Sequence, residues 1–522
     1  MEISSTYTLG ARISRRYTSR MASSNCWKCL SRPSNPMASS SPLVVRLANP
    51  TTATAFPFLA ASQFSTSANR AAVPPKKNTN PNKRDMKAKG ASTLRLKKKA
   101  FVKTGKPPAS GERKAIRKRI VLSNTNALEV RDLVDLNGKM VDEIADNAGA
   151  ARGGPESLAA AVLGAGGGKY VGQVVGLNGV TVDSLRAVEA FKTTQGWGIF
   201  RRPALLIREE TAVMNKMLMD AGSRKETLRL VVDGAQGTGK SLMMLTAMAS
   251  AFVKGWVVIN IPEAQEVTNA VTEYAALPGT TPPLYTQNTY IANLLNQIGK
   301  ANSIVLADLN LSKEHTLPIP VPDGISLFRL CELGARDPDI AWPVFQALWS
   351  ELTLKGRPPI LMCVDSVSFT MQNSLYRSPD FSPIHSHDLV IIKHFIDHLS
   401  GSSKLPNGGA IIAATNKSHA PISKSLNLAI KQSEDRKAGR DVTPRDPFEK
   451  SYDPRVDKAL AGIEVLRLKG LSKKEARGLM EYWAKSGVLR SKVDEESVTE
   501  KWTLAGNGIV GEIQRTALWM RV

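Results

Sequence analysis

Acidic side chains are almost missing from the start of this chain. Residues 1–70 hold eight Lys and Arg against one acid, Glu2, and residues 71–119 hold seventeen against two, Asp85 and Glu112. Of the net charge of +24 over 522 residues, all but +2 therefore lies before residue 120. This excludes a uniformly basic globule and points to a basic arm on a nearly neutral body. Cysteine is scarce as well: four in the whole chain exclude a disulfide framework. Cys26 and Cys29 form a lone C-x-x-C with no second pair to complete a zinc site, and Cys331 and Cys363 sit in apolar surroundings as expected buried thiols. No uninterrupted apolar run approaches the roughly 20 residues of a membrane helix, so no membrane span is expected.

What is present begins with an address. Residues 1–70 are rich in Ser, Thr and Ala, and Arg12, Arg15, Arg16 and Arg20 are interleaved with Ile13 and Tyr17. Without a secretory apolar core, this is the composition of a mitochondrial transit peptide. Residues 71–119 carry Pro74-Pro75, Lys97-Lys98-Lys99 and Arg117-Lys118-Arg119. They offer too little apolar surface to fold alone, and their charge density suits RNA phosphates better than a solvated linker. Residues 120–189 form an N-terminal extension, in which Leu128–Val134 reads as a short helix and Gly164–Gly168 as a break.

The body, residues 190–420, is organised around Gly234-Ala235-Gln236-Gly237-Thr238-Gly239-Lys240-Ser241. This fits G-x-x-x-x-G-K-[ST], the phosphate-binding loop, and its flanks are the ones the motif needs. Leu228–Val232 reads as a buried strand, and Ser241–Lys254 as a helix with Leu242, Leu245, Ala249 and Phe252 at helical spacing. The glycines turn backbone N–H groups toward phosphate oxygens, and the helix N-terminus adds partial positive charge. Lys240 is expected to reach the outer phosphates and Ser241 to hold magnesium. A second strand, Trp256–Ile261, stops at Pro262, and helices are expected over Arg208–Ala221, Tyr290–Gly299 and Ala341–Leu354. The apolar strand Ile360–Val364 ends in Asp365, whose carboxylate would orient water on the metal. The strand Gly408–Ala414 runs into Thr415-Asn416-Lys417, where Asn416 is placed to sense a terminal phosphate. Guanine reading by Asn416-Lys417 is not assigned, because His419 stands where N-K-x-D needs Asp.

Trp197, Phe200 and the pair Arg201-Arg202, just before the nucleotide domain, suit either covering a base or ordinary packing. His394 and His398 lie i,i+4 without H-E-x-x-H, and with His385 and His387 they read as helix surface rather than a metal site. Residues 421–522 open with a charged loop, Lys431–Arg445. A helix follows, with the capping box Ser472/Glu475 and Gly487 at its end. Strand-like runs at Thr499–Leu504 and Gly508–Ile513 complete what reads as a mainly helical, winged-helix-like lid.

These segments together resemble a fungal-like member of the death-associated protein three family, the GTP-binding protein of the mitochondrial small ribosomal subunit. The likeness is carried by Gln195-Gly196-Trp197, Arg202-Pro203, Ile207-Arg208-Glu209, Gly237–Ser241, Trp256–Pro262, Gly470-Leu471-Ser472, Glu475-Ala476 and Glu481-Tyr482-Trp483, across residues 190–522. It implies an AAA+-like P-loop NTPase fold, a parallel sheet with helices on both faces. It also implies bound guanine nucleotide (GTP or GDP, with ATP possible) and Mg2+, and a place in the mitochondrial matrix near the ribosomal subunit interface. Partners would be small-subunit ribosomal RNA, neighbouring ribosomal proteins and the large subunit. The implied nucleotide contacts fall on Gly237, Gly239, Lys240 and Ser241. One departure bears on mechanism: Ser366 follows Asp365 where active members of the wider class carry Glu. A hydroxyl is a poor base at neutral pH, so slow or absent hydrolysis is expected unless Glu332, Glu351 or another acid reaches the water. The missing Glu weighs against the alternative of a working mitochondrial ATPase that remodels protein or nucleic acid, and the missing N-K-x-D against a soluble signalling GTPase.

Overall fold

The computed structural model describes residues 120–150, 169–322 and 324–519. The expected transit peptide, the basic arm and the Gly164–Gly168 break lie outside the described residues. In chain order, the strands that position the site are β1 (Val174–Gly176), β2 (Ala204–Leu206), β3 (Thr227–Gly234), β4 (Val257–Ile261), β5 (Ile360–Val364), β6 (Gly409–Ala414) and β7 (Glu464–Leu468). The helices around them are α1 (Gly138–Ala150), α2 (Gly179–Ala187), α3 (Glu209–Arg224), α4 (Lys240–Val253), α5 (Asn288–Ala301), α6 (Leu327–Arg336), α7 (Ala341–Leu352), α8 (Val390–Ser400), α9 (Lys424–Lys437), α10 (Lys473–Lys485), α11 (Glu495–Leu504) and α12 (Val510–Gln514). Among the described residues no helix is long and apolar enough to cross a membrane.

Strands β3 to β7 form one parallel sheet in the order β7-β3-β6-β5-β4. Inner strands β5 and β6 carry no polar side chain and β3 is apolar from Leu230 to Val232, because a parallel sheet is covered on both faces. The register places Val465, Val231, Ala413, Val364 and Ile261 in one row. That row packs against Ile291 and Leu295 of α5, Val344 and Leu348 of α7 and Phe395 of α8. One residue along, Leu466, Val232 and Ala414 face the other way, onto Leu245 and Met248 of α4, Met214 and Leu218 of α3 and Val141 and Ile144 of α1. A third cluster holds Met480, Trp483, Val498 and Ile513 of the C-terminal helices against Val174 and Leu206 of the antiparallel pair β1–β2.

Several expectations are corrected. Leu128–Val134 is not helical: Leu128 N–H donates to Ser486 O, Val134 O accepts from Gly176 N–H, and the first helix among the described residues starts at Gly138. Thr499–Leu504 lies within α11, whose N-cap Asp494 accepts from Ser497 N–H, and Val510–Gln514 is helical too. The lid therefore has no hairpin over these residues and does not resemble a winged helix there. The charged run from Lys431 is helical as far as Lys437, in a helix started by the Ser423 cap. The sheet also reaches past residue 420, because β7 pairs with β3. The Ser472/Glu475 capping box is formed, and Gly487 at φ +71° follows the end of α10.

Candidate functional site

The carboxyl ends of β3, β5 and β6 lie side by side, and the residues singled out in the sequence follow those ends. After β3, Gly237 and Gly239 take φ of +78° and +92°, the left-handed region that favours glycine. Thr238 Oγ1 donates to Ala235 O at 2.9 Å. Lys240, at the first turn of α4, donates from Nζ to Gly234 O (2.9 Å) and Ala235 O (2.8 Å). An ammonium has three N–H donors, so one is left for a ligand. Burial lowers the Lys240 pKa, opposed by the charge of Asp233. Gln236 is exposed at the tip. Two contacts brace the loop from outside: buried Arg208 donates to Thr238 O (2.9 Å) and Lys469 O (2.8 Å), and Gly511 N–H donates to Gly237 O (3.0 Å).

Ser241 Oγ donates to Asp365 Oδ2 at 2.6 Å. Asp365 is buried, and its Oδ1 accepts from Ser366 N–H at 2.7 Å. Ser366 is buried in the left-handed region at φ +61°, and Asn416 Nδ2 donates to its Oγ at 3.0 Å. The structure thus brings Gly234–Ser241, Asp365 and Asn416 together. It adds two residues that sequence reasoning passed over. Lys192 donates from Nζ to the same Asp365 Oδ2 and, at 3.2 Å, to Glu263 Oε2. Burial lowers the Lys192 pKa, but Asp365 and Glu263 outweigh it and the net shift is upward. Glu263 Oε1 is buried without a hydrogen-bond partner among the described residues. Glu332 and Glu351 are committed elsewhere, Glu332 to Arg329 and Glu351 to Arg357 (3.0 Å) and Lys313 N–H (2.8 Å). Lys417 turns to Asp233 at 3.0 Å, where Thr415 Oγ1 (2.7 Å) and Arg467 also bind. Burial raises the Asp233 pKa, but those hydrogen bonds and charges outweigh it and leave it lowered.

Beside Gly239 and Leu242 opens a cavity of about 120 Å³, walled by Trp197, Phe200, Leu479, Tyr482 and Trp483, with Gln195, Arg208 and Gln514 among its polar groups. Gln195 Oε1 fixes this wall by accepting from Trp197 Nε1 (2.6 Å) and Lys192 N–H (2.8 Å). Trp197 and Phe200 of the Phe191–Pro203 segment face the cavity, whereas Phe191 packs in the core and Arg201 and Arg202 turn elsewhere. Arg201 donates to Thr125 O (2.7 Å), and Arg202 to Asp135 Oδ1 (2.7 Å) and Leu133 O (2.9 Å). The histidines are not helix surface either. His394 packs edge-on against Trp349 at 4.3 Å between ring centroids, with His398 at 4.8 Å from the same indole. Among the described residues no group of three His, Cys, Asp or Glu is placed to hold a metal ion.

Residues 205–516 match the family described as mitochondrial ribosomal death-associated protein 3. This chain belongs to that family. A relative from Neurospora crassa, small ribosomal subunit protein mS29, is 45% identical over 503 residues, which cover 95% of this chain and 99% of the relative. Among solved structures, a chain of the HORMA:CdnC:Trip13 complex of E. coli is similar over 53% of this chain and 59% of its own length, at 13% identity and a TM-score of 0.22. The family match begins within β2 and runs beyond α12, so it includes the loop, Asp365 and Asn416. Lys192 and Trp197 precede it. The mitochondrial location expected from the N-terminal composition is that of the family.

Proposed function

We propose that this member of the family is a structural component of the mitochondrial small ribosomal subunit that holds a guanine nucleotide in the Gly234–Ser241 loop, with slow or no hydrolysis. One observation carries the nucleotide reading. Two left-handed glycines, a helix N-terminus, an ammonium with a donor to spare and the 2.6 Å Ser241–Asp365 bond converge on one point. Strand order supports an AAA+-like P-loop fold, since β6 separates the loop strand β3 from the Asp365 strand β5. Asn416, at the end of that inserted strand, would sense the terminal phosphate.

The phosphates would take Lys240 Nζ and the loop N–H groups. The base would enter the adjoining cavity between Trp197 and Tyr482, with the amides of Gln195 and Gln514 at its edge. GTP or GDP fits this reading, and ATP is the competitor to be tested beside them. Ser241 Oγ and Asp365 Oδ2 are the donors a magnesium ion would use, the latter through water, and the ion would supply positive charge to the outer phosphates. The fit is incomplete, because Lys192 already holds Asp365 Oδ2. Slow turnover follows from the same place: Ser366 is buried and accepts from Asn416, and Glu263, which shares Lys192 with Asp365, is tied to that ammonium. This disfavours a working ATPase. The basic arm, residues 71–119, would contact ribosomal RNA through phosphates, and neighbouring ribosomal proteins and the large subunit would be the protein-side partners.

Equilibrium titration with labelled GTP, GDP and ATP tests the site. Lys240→Ala is expected to weaken binding about 10- to 100-fold, the value of a hydrogen bond to a charged group. Unchanged affinity in a folded variant overturns the assignment. Single-turnover hydrolysis of bound GTP is expected to fall well below the roughly 1–100 s⁻¹ of kinases.

A further inference from the structure

The Lys192 ammonium binds both the Asp365 and the Glu263 carboxylate beside the phosphate-loop serine. We infer that Lys192 is a built-in cation replacing the divalent metal beside the phosphate loop, so that this site takes a nucleoside di- or triphosphate in its metal-free form. The inference rests on the nucleotide reading above and deepens it.

Three features of the site lead to it. First, the carboxylate oxygen that would face a hydrated metal, Asp365 Oδ2, already accepts from both Ser241 Oγ and Lys192 Nζ. A divalent ion bound through Oδ2 would have to displace the ammonium or stand next to it, and like charges a few Å apart in a partly buried site repel strongly. Second, the ammonium is not a stray surface group. Its backbone N–H donates to Gln195 Oε1 at 2.8 Å, Gln195 N–H returns a bond to Lys192 O at 3.2 Å, and the same Gln195 oxygen holds buried Trp197. The turn that walls the cavity thus fixes where Lys192 starts. Third, Lys192 is the charge that lets two acids coexist. Glu263 Oε2 and Asp365 Oδ2 both bind it, and Glu263 Oε1 has no hydrogen-bond partner among the described residues. Without the ammonium, two half-to-fully buried carboxylates and a serine hydroxyl would converge, which is the oxygen donor set that hard divalent cations take.

Lys192→Met is therefore expected to turn a metal-independent site into a metal-dependent one, and Lys192→Arg to preserve the original behaviour. The test is titration of the full chain with labelled GDP, with magnesium in excess and again with EDTA. For the unsubstituted protein the two affinities are expected to agree within about threefold, and for Lys192→Met to differ by about tenfold or more. Magnesium alone should raise the melting temperature of Lys192→Met and not that of the unsubstituted protein. A loss of about tenfold or more on chelation in the unsubstituted protein overturns the inference, and this arm decides even if Lys192→Met fails to fold. Equal metal dependence of the unsubstituted protein and a folded Lys192→Met overturns it as well. Absence of nucleotide binding under both conditions overturns the nucleotide reading, and this inference with it.

Discussion

His394 is held neutral by its surroundings. Its ring meets Trp349 and Phe345 edge-on, its Nε2 is buried without a hydrogen-bond partner among the described residues, and burial, followed by the charge of His398, pushes its pKa down to about 3. His387 is pushed to about 3 by burial and by His385. The unfolded chain takes up these protons near pH 6.5, whereas the folded chain resists until about pH 3, so the unfolded state holds more protons between those values. Their contribution to stability is therefore complete above about pH 6.5 and is lost as pH falls toward 3, at about 1.4 kcal/mol per pH unit for each ring. Thermal melts at about pH 7.5 and about pH 5.5 should show this loss, and His394→Leu should lessen it by one ring's share; an unchanged loss would mean that His394 is free to protonate. Residues of this kind were only half legible. The i,i+4 spacing placed His394 and His398 on a helix, but which face turns inward depends on Trp349, far away in the chain. Lys240, Ser241 and Asp365 were legible because the first two complete one glycine-rich loop pattern and the third ends an apolar strand. Lys192 and Glu263 were not, since a lone lysine and an acid after Pro262 gain meaning only when β4 and β5 become neighbours.

The connection between α11 and α12 acts as an element on the loop. A Cβ on Gly237 would lie 3.2 Å from Ile509 Cγ2, whereas at Gly239 the nearest atoms are 3.9 Å away. Both positions need positive φ. Alanine at either should cost about 1–2 kcal/mol from backbone strain, and Gly237→Ala should cost more because it also pushes Ile509. In a Gly237→Ala background, Ile509→Ala should recover only the contact share. Equal melting temperatures for Gly237→Ala and Gly239→Ala would mean that this connection does not rest on the loop. The inner strands of the sheet could be read from the sequence because each is a short apolar run flanked by turn residues. The edge strand β7 was missed because Glu464 and Arg467 interrupt its apolar pattern. The last helices were misread because Thr499, Trp502 and Thr503 favour strands in isolation, while the Asp494 cap and packing against β1–β2 decide for helix.

For the whole molecule, charge and sheet divide the labour. The strongly basic first 119 residues lie outside the described structure, and the nearly neutral remainder builds a two-faced sheet with the Gly234–Ser241 loop, Asp365 and Asn416 at the carboxyl ends of its three inner strands. The proposal joins them: the arm faces ribosomal RNA, and the nucleotide is a fixed part of the subunit that stabilises the folded body by RT ln(1 + [L]/Kd). The most direct test isolates mitochondrial small subunits carrying a tagged copy of this protein, denatures them and identifies the released nucleotide by mass spectrometry. Guanine nucleotide stoichiometric with the tagged protein, and its loss from subunits carrying Lys240→Ala, is the predicted result. Subunits that contain the unsubstituted protein and release no nucleotide would contradict the account.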